Sequence, residues 1–327
     1  MRKILIAFSL VTLSLTGFAQ QDKQLTHFFF NNVTTNPGAA GTNDNICFGL
    51  TLRNQWTGFP GNPKTGAFTF STGLTPHNGI GMVVIADQLG ASSDFTFKGS
   101  YSRHFLFSGG RSLSIGVNGG FISKGINFNQ FSNGGVPTYV DITDPYLAGQ
   151  AGLVSVLKPD LGAGIYYKAE RLYFGVSGQE LLAGTLKYNA GGANFAQSHI
   201  ARHYYLTGGY TYPLNAGTTR IDLKPSFLLK SDLTATQFDF NLLAEINSAF
   251  WVGATYRYQD AATALLGAFV PVGDNKLRIG YAYDFTTSGL GEPKQGGSNG
   301  SHEIYLGYCI KKPVPPVVKY WDPTWGY

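Results

Sequence analysis

The sequence predicts an all-β protein: a transmembrane antiparallel β-barrel of about fourteen strands, with an N-terminal signal peptide and a Pro/aromatic-rich C-terminal tail. Three observations carry this expectation. Apolar and polar residues alternate with period 2 along most of the chain, short and long connections follow one another in turn, and charge is scarce. Only 13% of the 327 residues are charged, 14% are aromatic and 43 are Gly. Ordinary soluble domains carry about 25% charged residues and about 7% Gly. A hydrophobic content of 43% buries ample apolar surface and excludes disorder. Past residue 19 no apolar run approaches the ~20 residues of a spanning helix, which excludes a helical bundle.

Taken in order, the chain opens with Arg2 and Lys3, then an apolar stretch from Ile4 to Leu15, then Gly17-Phe18-Ala19 with small residues at the −3 and −1 positions of a cleavage site. Residues 1–19 read as a secretory signal peptide cut after Ala19, and Gln20 rather than Cys follows the cut. Removing Arg2 and Lys3 lowers the formal charge from +5 to +3. So small an excess argues against nucleic acid as a partner. Residues 20–45 are polar, with turn signals at Asn36-Pro37-Gly38 and Gly41-Thr42-Asn43-Asp44, and are expected as a periplasmic or lumen-inserted segment.

From Ile46 alternation dominates. Phe238, Phe240, Leu242 and Ala244 separate from Gln237, Asp239, Asn241 and Glu245. Phe95, Phe97, Tyr101, Phe105 and Phe107 oppose Thr96, Lys98, Ser100, Ser102 and His104. Successive side chains of a strand point to opposite faces, so each segment has one greasy and one polar side. Strands are expected near 46–55, 65–74, 79–87, 93–107, 111–123, 160–168, 171–179, 200–212, 219–230, 235–246, 249–259, 263–271, 276–287 and 301–310. Most are long enough to span a membrane at a tilt. Connections after even-numbered strands are short; 56–64, 124–159, 180–199 and 288–300 are long, which is the asymmetry of outer-membrane barrels. A secreted β-sandwich is the competing architecture, but its outward face would be charged. Here charge lies opposite the aromatic row. Trp251, Tyr256, Tyr258, Tyr281, Tyr283, Tyr305 and Tyr308 are expected as interfacial girdles.

On this parity Arg53, Lys98, Asp222, Lys224, Asp239, Glu245, Arg257, Arg278 and Asp284 point into the lumen. Their mixed signs suit pairing across the interior better than a single-sign selectivity ring. Lys224-Pro225 interrupts a strand and suggests a bulge or a local edge. Cys47 opens the first strand and Cys309 ends the last, on the same parity, so a seam disulfide is one reading and two unpaired thiols the other. No HExxH, CxxC, P-loop or GxSxG is present, and neither catalytic residue, cofactor nor metal is expected.

The segment Thr26-His27-Phe28-Phe29-Phe30-Asn31-Asn32, with Asn36-Pro37-Gly38-Ala39-Ala40-Gly41, is followed by Arg53-Asn54-Gln55-Trp56-Thr57-Gly58-Phe59-Pro60-Gly61-Asn62-Pro63-Lys64-Thr65. Together with Lys158 to Tyr167, Phe250 to Arg257, Leu277 to Thr287 and Ser301-His302-Glu303-Ile304, this resembles the PorP/SprF family of type IX secretion and gliding-motility membrane proteins. The chain departs from the family's usual Ala and Tyr at Gly38-Ala39, and in its C-terminal tail. The resemblance implies an outer-membrane barrel that binds and retains a secreted cargo protein, carrying a type IX C-terminal sorting domain, at the cell surface. It also implies a link to a periplasmic, peptidoglycan-binding component of the secretion apparatus. With turns and termini on the periplasmic side, 56–64 is an outer loop; Trp56 and Phe59 there offer an anchor to a partner, or the block Arg53 to Trp56 plugs the barrel mouth.

Residues 311–327 form a Pro-rich periplasmic tail studded with Tyr320, Trp321, Trp325 and Tyr327, a docking-peptide pattern. The other function class on this architecture is a passive channel or hydrophobic-solute transporter.

Overall fold

The computed structural model describes residues 23–43, 45–128, 152–190, 193–289 and 297–312. Residues 1–22, with the expected signal peptide, and residues 313–327, with Tyr320, Trp321, Trp325 and Tyr327, lie outside the described residues. Among the described residues there are seventeen strands: β1 (Ile46–Asn54), β2 (Lys64–Thr75), β3 (Asn78–Leu89), β4 (Ser92–Phe107), β5 (Arg111–Asn127), β6 (Leu153–Lys168), β7 (Leu172–Gln179), β8 (Gly184–Ala190), β9 (Ala193–Ile200), β10 (His203–Tyr210), β11 (Tyr212–Ala216), β12 (Thr219–Ser231), β13 (Thr236–Ile246), β14 (Phe250–Arg257), β15 (Ala261–Val272), β16 (Asn275–Thr286) and β17 (Ser301–Ile310).

All pairings are antiparallel. The sheet closes because β1 pairs with β17 and because β10 joins β7 on one side and β12 on the other. Counting β10 and β11 as one stave interrupted at Thr211, the barrel has fourteen staves. One rim carries only short turns, at 76–77, 108–110, 169–171, 217–218, 247–249 and 273–274. The other carries 55–63, 128–152, 180–202 and 287–300 along with three shorter connections. We refer to these as the turn rim and the loop rim.

The faces are inverted relative to a soluble protein. On β4, Thr96, Lys98, Ser100, Ser102 and His104 are buried, while Phe95, Tyr101, Phe105 and Phe107 are exposed; on β13, Gln237, Asp239, Asn241 and Glu245 are buried beneath exposed Phe238, Phe240 and Leu242. An apolar exterior around a closed, polar interior is the arrangement a bilayer accommodates, since closure leaves no backbone edge unpaired. No described helix is long and apolar enough to cross a membrane.

Three local features differ from expectation, and a fourth decides between two readings. β6 begins seven residues early, at Leu153, and pairs along its whole length with β5. Residues 184–200 form the β8–β9 hairpin, whose Leu186, Tyr188 and Ile200 pack on Ile122 in a small core at the loop rim. Of the two readings of Lys224-Pro225, the local edge holds and the bulge does not: β12 stays in register with β13, and Pro225 stands at the break between β10 and β11, where neither pairs with it. Trp251 and Tyr305 face the lumen instead of forming girdles. They share the parity of Glu245 and Glu303, and Gly267 and Gly280 beside the indole leave the space it fills.

The lumen is filled by the N-terminal segment. Gln24 hydrogen-bonds Gln237 and Gln55 at the loop rim (3.1 and 3.0 Å). Three short 3-10 turns (Phe28–Phe30, Asn32–Thr34, Pro37–Ala39) then carry the chain across the interior. Thr42 reaches the turn rim, where its carbonyl accepts from Lys168 at 2.8 Å, and β1 starts there. The crossing requires wall positions without side chains: a Cβ at Gly116 would collide with the Pro37 carbonyl, and one at Gly79 with that of Ala40. Asn36 caps its own turn through Gly38 N–H (2.8 Å) and donates to the carbonyls of Ile165 and Val176 (3.0 and 3.2 Å).

Candidate functional site

Four of the nine residues expected in the lumen meet in one ion cluster near the loop rim. Arg53 on β1 donates to Asp284 Oδ2 (2.5 Å) and Glu303 Oε2 (3.2 Å). Arg257 at the end of β14 donates to Asp284 Oδ2 (3.1 Å), Asp239 Oδ2 (3.2 Å) and Asp260 Oδ2 (3.3 Å). The N-terminal segment completes the set. The backbone N–H groups of Thr26 and His27 donate to Glu303 Oε2 and Oε1 (2.7 and 2.8 Å), His27 Nδ1 lies 2.7 Å from Oε1, and the Thr26 hydroxyl accepts from Arg53 (3.0 Å). Every member is buried. Two guanidinium groups face four carboxylates, so the amide and imidazole donors of the plug supply what the wall lacks.

Lys98 anchors a second cluster, pairing with Asp160 (2.9 Å) and Glu180 (2.6 Å), which also meets His203 (3.2 Å). Beside it Gln179 Nε2 and Ser177 Oγ donate to the Thr35 carbonyl of the plug (3.1 and 2.6 Å). Near the turn rim Lys224 pairs with Glu245 (2.5 Å) and Asp222 with Arg220 (3.1 Å). Arg278 stands apart: its guanidinium lies 5.4 Å over the Phe30 ring, and among the described residues no carboxylate comes within 4 Å of it.

Cys47 and Cys309 are register partners across the β1–β17 seam, Cα atoms 4.1 Å apart, and are bonded. The distance is inside the about 7 Å that a disulfide can bridge.

At the loop rim residues 55–63 are held against the residues preceding β17. Trp56, at φ +49°, donates its N–H to Ser301 Oγ (3.0 Å); Thr57 exchanges backbone hydrogen bonds with Gly300 (2.8 Å) and Asn299 (2.7 Å). Trp56 and Phe59 are half-buried, Asn54 is exposed, and Arg53 and Gln55 are buried in the mouth. The block thus divides between the mouth of the lumen and the rim.

Glu303, Asp160, Asp260, Glu180 and His27 were not legible as cluster members from sequence. Glu303 and Asp160 do carry a signal, since each lies on the lumen parity of its strand; Asp260, Glu180 and His27 sit in loops or in the plug, where period 2 says nothing. Among the described residues no group of three or more His, Cys, Asp or Glu could hold a metal.

A family model described as the type IX secretion system membrane protein PorP/SprF matches residues 17–308. No curated protein matches the sequence. Solved structures with a similar course include a Pseudomonas aeruginosa FadL homologue (12% identity, 84% of this chain and 92% of that one, TM-score 0.45). The CymD monoaromatic hydrocarbon channel (9% identity, 93% and 97%, TM-score 0.49) and the P. putida toluene transporter TodX (9% identity, 87% and 94%, TM-score 0.48) are similar to the same degree. At these values the likeness is one of general barrel architecture and says nothing of ligands.

Proposed function

The chain belongs to the PorP/SprF family of type IX secretion system membrane proteins, and from that premise we propose that it spans the outer membrane, turn rim to the periplasm, and retains a secreted cargo protein at the cell surface. The observation that carries the reading is the plugged lumen: a segment tied to the wall by buried amide and imidazole contacts to Glu303 suits a fixed platform better than a solute path. The platform's working face is the loop rim, where the pinned 55–63 block offers Trp56 and Phe59 to a partner. Large aromatic side chains on a rigid support make effective anchors because little side-chain entropy is lost on binding. Residues 313–327 continue from Lys312 at the turn rim, where Lys312 donates to the Gly73 carbonyl, and are proposed to dock a periplasmic component of the apparatus.

The test is affinity purification from native envelopes with the co-purifying proteins identified. Capture of a protein bearing a type IX C-terminal sorting domain, lost on Trp56→Ala with Phe59→Ala while barrel insertion is unchanged, is the expected result. Saturable solute uptake in liposomes without any captured cargo would favour the transporter reading instead.

A further inference from the structure

Below the ion cluster, in the turn-rim half of the lumen, the plug leaves space. Cavities of about 310 and 270 Å³ lie on either side of the Phe28–Phe30 turn, and both are lined by Phe29, Phe30, Tyr173, Thr211 and Arg278. Together they fall within the range of small-molecule sites. Their characters differ. Phe269 and Leu243 give the first an apolar wall, whereas Asn31, Asn32, Lys168 and Arg171 make the second polar.

Arg278 stands where the two meet. Its guanidinium is stacked over Phe30 and lies beside the Tyr305 hydroxyl, but it has no carboxylate partner among the described residues. Arg53 and Arg257, the other two arginines of the ion-cluster wall, are ion-paired: Arg53 with Asp284 and Glu303, Arg257 with three aspartates. The Tyr173 hydroxyl, buried at the same junction, has Ser226 beside it yet makes no hydrogen bond of standard geometry. The lining holds four cations (Lys168, Arg171, Lys224, Arg278) and two carboxylates (Glu170, Glu245), one of which is committed to Lys224. An unpaired fork of N–H donors at the border of an apolar and a polar compartment is the complement of a carboxylate on a greasy body.

We propose that this chamber is a binding site for an amphipathic carboxylate, with Arg278 taking the carboxylate and Phe29, Leu243 and Phe269 enclosing the apolar body. The site is independent of cargo retention at the opposite rim. The ligand's chemistry has two sources, a lipid-derived acid or the C-terminal carboxylate of a peptide.

Native mass spectrometry of the full-length protein, released from a non-ionic detergent, tests this with decanoate, decan-1-ol and N-acetylphenylalanine as probes. The expected result is a saturable one-to-one adduct with at least one of the two acids and binding of decan-1-ol weaker by about tenfold or more. Arg278→Gln should weaken the acid by a similar factor, and Arg278→Lys should restore part of it. Stronger decanoate binding identifies a lipid-derived ligand, stronger N-acetylphenylalanine binding a peptide terminus. Equal affinity for acid and alcohol, an unaltered Arg278→Gln variant, or no adduct with either acid would overturn the assignment. Heat-modifiable migration on gels verifies that each variant retains a closed barrel.

Discussion

Glu303 stands directly across the barrel seam from Arg53, its register partner on β1, and their side chains meet at 3.2 Å inside the wall. The same carboxylate accepts the N–H groups of Thr26 and His27. One buried residue therefore joins the first strand, the last strand and the plug.

Replacing Glu303 by Ala should leave the Arg53 guanidinium short of a partner and strand two plug amides. Breaking one side of a buried ion pair costs about 3–5 kcal/mol. The denaturant midpoint of the variant refolded in lipid vesicles should fall accordingly, and Glu303→Gln, which keeps the shape and loses the charge, should lie between it and the wild type. A midpoint equal to that of wild type would show that the plug is not held there.

Gly116→Val should displace the plug without breaking the barrel. The added side chain would occupy the place of the Pro37 carbonyl, whereas the exposed face of β5 is untouched. Limited proteolysis should cut within residues 28–40 of the variant and spare the wild type, with heat-modifiable migration unchanged in both.

In planar bilayers the intact chain should conduct poorly for a barrel of fourteen staves. Deleting 24–40 should raise single-channel conductance severalfold, because among the described residues this segment is what crosses the interior. A high conductance from the intact chain would remove the basis for reading the lumen as blocked.

Denatured, unreduced protein should migrate faster on gels than reduced protein, since the Cys47–Cys309 bond spans 262 residues. Cys47→Ser should abolish the difference. Loop-closure entropy puts the largest stabilisation from such a bond at about 5 kcal/mol, and the strand pairing that already joins β1 to β17 reduces it. The reduced barrel should therefore remain folded.

Much of this architecture is legible in the sequence, and the reason is physical. A lipid-facing strand must alternate strictly, so Phe238, Phe240 and Leu242 against Asp239 and Asn241 fix both the strand and its faces. The same parity placed Arg53, Asp239, Arg257 and Asp284 inside, though not beside one another, because curvature and shear decide which lumen residues meet. The plug was less legible. Its Asn36-Pro37-Gly38 and Gly41-Thr42-Asn43 segments read as turns on a stretch either periplasmic or lumen-inserted, and nothing local decides between the two or says that Gly79 and Gly116, far along the chain, leave room for it. The β8–β9 hairpin was missed because only its first half alternates, Leu186 and Tyr188 against Thr185 and Lys187, while Ala193 to Ile200 carries no matching pattern.

Accessibility of Lys23 tests the direction of the plug. Lys23→Cys should react with a membrane-impermeant maleimide on intact cells as readily as Leu233→Cys at the loop rim, while Asp274→Cys at the turn rim reacts only after permeabilisation. Labelling that follows the Asp274 pattern would mean the segment enters from below.

The crossing of residues 24–42 from one mouth to the other also constrains biogenesis. A polypeptide whose Gln24 sits at the far opening would have to be pushed into a finished cylinder past a wall that glycines fit to its backbone. The staves must instead wrap around a thread already in position, with β17 docking on β1 as the final stitch. Export of that thread ahead of the sheet would then be the earliest committed event in the protein's insertion.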